Sequence, residues 1–296
     1  MKVYTDEGLT GVGEGTLEYK EYALTGAIDH LRDFLIGKDP LRIEWLTHEM
    51  YRNSYWRVGP VMMAAVSTIE MALWDILGKY LNQPVYQLLG GKVRDGIKMY
   101  ANGWFAGAKK PDEFAKKAAE AASKGIKALK WDPFGTAYMH LSDKDLDASM
   151  ECVKAVREAV GPEMELLIEC HGRLDTSSAI RVTHALEPYR PMWFEEPVPP
   201  DNMSALAEVR QKSPVPISAG ERIYGIHQYS EFINAGCADF LQPDVSHAGG
   251  IMEIKKIAAM AESRFISVAP NNPSGPVANA ATLQLAGNLS NFIILE

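Results

Sequence analysis

The chain has 296 residues, 47% of them hydrophobic, and its 38 Asp and Glu outweigh 30 Lys and Arg to leave a formal net charge of −8. A chain of this length can bury a full core and is long enough for a barrel with a smaller attached domain. The acidic balance argues against a surface built for nucleic acid or an anionic membrane, and no run of 18 or more apolar residues marks a membrane span.

The first residues, MKVYTDEGLTGVGEG, are charged and turn-rich, without the apolar stretch or cleavage site of a secretion signal. Apolar and polar residues alternate around Val3 and Tyr4, and Asp6, Glu7 and Gly8 then precede Val12, which predicts a strand, a turn and a second strand. A hairpin at residue 1 has no earlier strand to pair with, so Met1 reads as an internal point of a longer design. Over residues 24–89 the periodicity is helical: Ile28, Leu31, Phe34 and Leu35 mark one helix, and Met62, Ala65, Val66, Ile69, Ala72, Leu73 and Ile76 another. Residues 1–93 are expected to form a partial α+β domain.

After Gly90 and Gly91 the pattern becomes strand and helix in alternation, a domain boundary. Strand candidates cover residues 97–101, 128–131, 165–170, 192–195, 216–219, 239–242, 266–269 and 292–295. Helical segments between them, such as 111–123 and 144–160, are polar on one face and apolar on the other, as crossover helices over a parallel sheet should be. An α/β fold follows, a TIM-like (β/α) barrel over residues 94–296, with a doubly wound open sheet as the alternative. The chain stops at Glu296, straight after the eighth strand, so a C-terminal closing segment is expected to be absent. Cys152, Cys170 and Cys237 are odd in number and form no CxxC pair, which reads as reduced thiols in a cytoplasmic protein.

Glu169 in LLIECHG, Glu195 in MWFEEP and Glu221 in PISAGER stand 26 positions apart, each closing a short apolar run. A strand, its covering helix and two loops consume about 25 residues, so equivalent points of successive units recur at this interval. Carboxylates at three consecutive strand ends would converge on the barrel face where chemistry is found. Three such oxygen ligands suit a hard cation, Mg²⁺ above all. The bland alternative is that they cap nearby helices or pair with Arg173 or Arg222. Glu196 should point to the opposite face by strand alternation.

The segments GLTGVGEG, AAVSTIEMALWDILGK, LLGG, ECHGR, FEEP, AGER, QPDVSHAGG and APNNPSGP, in this order and spacing, resemble the mandelate racemase branch of the enolase superfamily, most closely its galactonate dehydratase-like sugar-acid dehydratases. The resemblance covers nearly the whole chain. It implies that the N-terminal domain caps the barrel, that Glu169, Glu195 and Glu221 hold Mg²⁺, and that the protein is a homo-oligomer acting on a small sugar acid. It also implies the reaction: a base removes the proton α to a carboxylate, the cation stabilises the enediolate, and the β-hydroxyl leaves to give a 2-keto-3-deoxy acid.

Within that resemblance, His171 matches the acid/base histidine that protonates the departing hydroxyl, and its place two residues after Glu169 puts both side chains on one side of the strand. Asp244 matches an aspartate that orients a histidine on the seventh strand, but the histidine's position is occupied by Asn271, which can hydrogen-bond a substrate and cannot take its proton. Three readings stay open: an inactivated variant, His171 serving both proton transfers, or another base. Lys130 and Asp132, in ALKWDPFG, stand where racemases and cycloisomerases carry two lysines, and with Asp132 in the second place Lys130 reads as a charge partner. Glu296 matches an acid that hydrogen-bonds the enediolate or the carboxylate region of the substrate, as a terminal residue open to fraying. His247 reads as a site-lining or locally bonded residue, Tyr138 and His140 as a solvated loop, and Tyr51, Tyr55, Trp56 and Arg57 as a lid or as interdomain packing. The expected function is a Mg²⁺-dependent aldonate dehydratase. A catalytically silent binder of metal and sugar acid, or a cycloisomerase or epimerase on a related acid, is the alternative.

Overall fold

The N-terminal hairpin consists of β1 (Lys2–Tyr4) and β2 (Thr10–Val12), antiparallel, and helices α1 (Glu21–Leu35), α2 (Ile43–Arg52), α3 (Pro60–Leu81) and α4 (Val85–Leu88) follow it. Alternation then begins with α5 (Pro111–Ser123), β3 (Ala128–Trp131), α6 (Asp143–Val160), β4 (Glu165–Glu169), α7 (Thr176–Leu186) and β5 (Trp193–Glu195). It continues through α8 (Met203–Lys212), β6 (Ile217–Ala219), α9 (Gly225–Ala235), β7 (Phe240–Leu241), α10 (Ile251–Glu262), β8 (Ser267–Val268) and α11 (Pro276–Asn288). This computed structural model describes residues 1–52 and 55–296. The sheet runs β3-β4-β5-β6-β7-β8, in chain order.

The chain resolves into two units. One comprises Met1–Ile97, Glu221–Ser230 and Gln242–Leu295; the other comprises Lys98–Gly220, Glu231–Leu241 and Glu296. In the first, α3 is the central helix, with Ala64, Ala65, Val66, Ile69, Ala72 and Ile76 all buried. By length and composition α3 could cross a bilayer, yet 78% of its apolar window is buried within the protein. The glycines of GLTGVGEG explain how closely the β2 segment lies on it: a Cβ at Gly11 would come 2.1 Å from the Ala72 carbonyl oxygen, and one at Gly13 would come 1.9 Å from that of Thr68. Only glycine permits that approach.

In the second unit the strands are parallel and buried on both faces, as strands covered by crossover helices must be. Their helices start where short polar side chains accept the first free amides: Ser142 from Asp145 N at 3.2 Å, Asp175 from Ser178 N at 2.7 Å, and Asn202 from Ala205 N at 3.1 Å. The register sets Glu169 opposite Glu195. The first and eighth predicted strands contribute isolated parallel bridges instead of full strands, Ala101 to Leu129 and Val268 to Phe292.

Candidate active site

Lys130, on β3, is the centre of charge in the second unit. Its ammonium is buried, 2.9 Å from Glu195 Oε1, 3.6 Å from Glu296 Oε1 and 3.7 Å from Glu169 Oε2. Burial alone would lower its pKa, but Glu195, with Tyr100, Glu296 and Glu169 adding, holds it well above the usual lysine value. The Tyr100 ring faces the ammonium, with its centroid 5.2 Å away. Lys130 is thus the charge partner that the sequence suggests.

The two strand-end carboxylates are held differently. Glu169 folds back on its own turn, Oε1 accepting the amides of Cys170 at 2.9 Å and His171 at 2.5 Å. Glu195 accepts the Trp193 indole N–H through Oε2 at 2.8 Å, a contact set by the two-residue period of β5. Glu221 follows β6 through Gly220, whose φ of +130° suits a residue without Cβ. One carboxylate oxygen from each of Glu169, Glu195 and Glu221 lies within 4.8 Å of the others. The donor set fits a hard divalent cation: all its atoms are carboxylate oxygens and two of the groups are buried. The pairing with Arg222 that the sequence offered as the bland alternative is also present, its Nε 3.8 Å from Glu221 Oε1.

Glu196 departs from strand alternation. Its φ is +43°, and its buried carboxylate accepts the Gly220 amide at 3.0 Å. Glu296 is held, not frayed: its Oε1 also accepts from Asn102 Nδ2 at 2.8 Å, and its side chain is 8% exposed. Asn102 and Trp193 were not foreseen from sequence. Asn102 directly follows the first predicted strand, and Trp193 stands two residues before Glu195, so each carried a positional signal.

His171 is placed by a different rule from the expected one. β4 ends at Glu169, and His171 takes φ +54°, so the two-residue period no longer governs it. Its Nδ1 lies 2.7 Å from Asp132 Oδ2, and its side chain is 59% exposed. In the first unit Asp244 and Asn271 form a parallel bridge, and Asn271 Nδ2 donates to Asp244 Oδ2 at 3.1 Å. Both residues are buried, and Asp244 Oδ1 accepts the Ser246 amide at 2.7 Å. His247 is engaged at long range as well as near it in sequence: Nε2 lies 2.7 Å from the carbonyl of Thr16, 231 residues earlier, and Nδ1 lies 3.7 Å from Asp244 Oδ2.

Tyr138 and His140 lie in a solvated loop, their exposure high. Tyr55 and Trp56 are exposed and meet edge to face, and Arg57 stacks over Tyr51 at 5.8 Å. The three cysteines are free and buried, and burial pushes the Cys152 and Cys237 thiols up to about 11, and Cys170 higher.

Residues 1–90 match the family model of the mandelate racemase/muconate lactonizing enzyme N-terminal domain, and residues 113–296 match that of the enolase C-terminal domain-like fold. The chain is 40% identical over 285 residues to a D-galactonate dehydratase of Klebsiella pneumoniae (strain 342), covering 96% of this chain and 74% of that protein. A structure from Mesorhizobium loti, provisionally described as a dehydratase, aligns with all of this chain and 81% of its own at TM-score 0.96 and 40% identity. A member of the enolase superfamily from Salmonella Typhimurium aligns with all of this chain and 82% of its own at TM-score 0.96 and 35% identity. The fold is an α/β barrel of the TIM-like type with an N-terminal capping domain.

Proposed function

Because the chain belongs to the mandelate racemase/muconate lactonizing enzyme family of the enolase superfamily, we propose that it is a Mg²⁺-dependent sugar-acid dehydratase acting on an aldonate of the galactonate type. The observation that carries the reading is the group of Glu169, Glu195 and Glu221 within 4.8 Å, in a chain 40% identical to a D-galactonate dehydratase.

Glu169, Glu195 and Glu221 would hold the cation, which when bound supplies positive charge where a second negative charge gathers on the substrate carboxylate. Lys130 keeps the buried carboxylates partly neutralised and fixes Glu195 in place. Glu296 hydrogen-bonds the carboxylate region of the substrate. His171, exposed enough to meet a substrate, protonates the β-hydroxyl as it leaves. Asp244 and Asn271 bond to each other, and Asn271 offers a hydrogen bond to the substrate without being able to take its α-proton. That amide favours a second reading, in which the protein binds metal and sugar acid but turns over slowly or not at all.

The test is to incubate the protein with Mg²⁺ and a library of aldonates in D₂O. Formation of a 2-keto acid, or deuterium exchange at the α-carbon, is the expected result. Neither signal, in the presence of substrate-dependent thermal stabilisation, would sink the dehydratase reading and leave the silent binder.

A further inference from the structure

An Asp–His pair does exist in this protein, at the ends of β3 and β4. We propose that Asp132 is the positioning residue of His171: it accepts the Nδ1 proton, holds the ring, and leaves Nε2 as the nitrogen that exchanges a proton with substrate. This rests on the dehydratase reading insofar as it gives His171 a proton-transfer role.

Asp132 is fixed before the histidine reaches it. Its Oδ1 accepts the Phe134 amide at 2.9 Å, and its Oδ2 is ion-paired with Arg173. Arg173 is in turn anchored, Nε to the Cys170 carbonyl at 3.0 Å and Nη1 to the Gly135 carbonyl at 2.5 Å. Three of its five N–H donors serve the protein, which makes it a brace for Asp132. His171 meets the braced carboxylate at 2.7 Å from Nδ1. Its backbone is clamped as well, with its own amide on Glu169 Oε1 at 2.5 Å and the Gly172 amide on the Glu196 carbonyl at 2.6 Å. That clamp sustains the left-handed φ of +54° which turns the residue out of strand register.

A carboxylate on one imidazole nitrogen selects the tautomer and so decides which nitrogen does the chemistry. The Asp132 carboxylate, 16% exposed and balanced by Arg173, can do this. The Asn271 amide, which donates to Asp244, has no tautomer to select.

The test is nitrogen NMR of histidine-labelled protein at a pH of about 8.5, where an ordinary imidazole is neutral. The His171 signal is assigned by its loss in H171Q. Wild type should show His171 protonated at Nδ1, D132A should move it towards the Nε2-protonated form, and D132E should restore it. D132L, which fills similar space but offers no acceptor, replaces D132A if that variant does not fold. On whichever aldonate the wild type dehydrates, D132A should lower kcat on the order of 10²-fold with KM changed by less than about threefold. An Nε2-protonated His171 in wild type, or a tautomer unmoved by D132A, overturns the proposal, as does a shifted tautomer with unchanged kcat. If no aldonate is dehydrated while the tautomer follows Asp132, the dehydratase reading fails and the positioning of His171 stands.

Discussion

Glu70, in the middle of α3, should make the stability of this protein fall as pH rises through neutrality. The side chain is wholly buried and caps α10: Oε2 accepts the Ile251 amide at 2.8 Å, and Oε1 accepts the Met252 amide at 2.9 Å and the Trp74 indole at 2.7 Å. Gly250, the residue before the helix, makes the space, since a Cβ there would come 2.2 Å from Glu70 Oε2. Burial outweighs the three donors and raises the carboxyl from 4.5 to about 7. A raised folded-state value means that the folded protein holds a proton which the unfolded chain releases. The resulting stabilisation is full below about 4.5 and is lost as pH rises through about 7. At about 1.4 kcal/mol per pH unit between the two values, the loss is about 3 kcal/mol.

E70Q removes this titration while keeping the shape. It should cost about 1–3 kcal/mol at pH 4.5, because one donor then faces an amide NH₂. Relative to wild type it should then recover about 3 kcal/mol by pH 8. Urea unfolding of both proteins at the two pH values measures the difference directly, with the other carboxylates cancelling. If the gap between wild type and E70Q is the same at both pH values, Glu70 titrates alike in the folded and unfolded chains and the reasoning is wrong.

Removing the central ammonium, K130M, should destabilise the protein by about 3–5 kcal/mol, since it takes away one member of a buried ion pair, the ammonium 2.9 Å from Glu195 Oε1; chemical denaturation checks this. Mg²⁺ should raise the melting temperature of wild type, and E195Q should abolish most of that rise in a thermal-shift titration. Glu14 accepts the amides of Gly275, Val277 and Ala278 at the start of α11, so E14A should cost about 1–2 kcal/mol in urea unfolding. N271H should raise dehydration at least about tenfold if that position is where a base is missing, and kcat unchanged would place the base elsewhere.

Much of the fold was legible because it is written in local periods. The hairpin, α1, α3, α5, α6 and the strands from β3 to β8 appear near their predicted places, since hydrophobic alternation and turn residues act within a few residues. α2 falls inside the stretch that reads as helical, but it is only 10 residues long, and its apolar positions Ile43, Leu46 and Met50 do not mark it as a separate helix. The outermost strands shrink to single bridges, a matter of ladder geometry that composition does not encode.

The sequence by itself determined that acids recur at strand ends every 26 residues and that position 271 holds an amide, because chain spacing and side-chain chemistry are covalent facts. Only the tertiary structure decided what those groups bond to. Lys130 meets carboxylates 39, 65 and 166 residues away, and Glu296 is secured by an asparagine 194 residues before it. His171 leaves its strand through a left-handed backbone turn and finds Asp132, 39 residues earlier. Those contacts depend on where the strands end and how the backbone turns there, and no local pattern of residues specifies either.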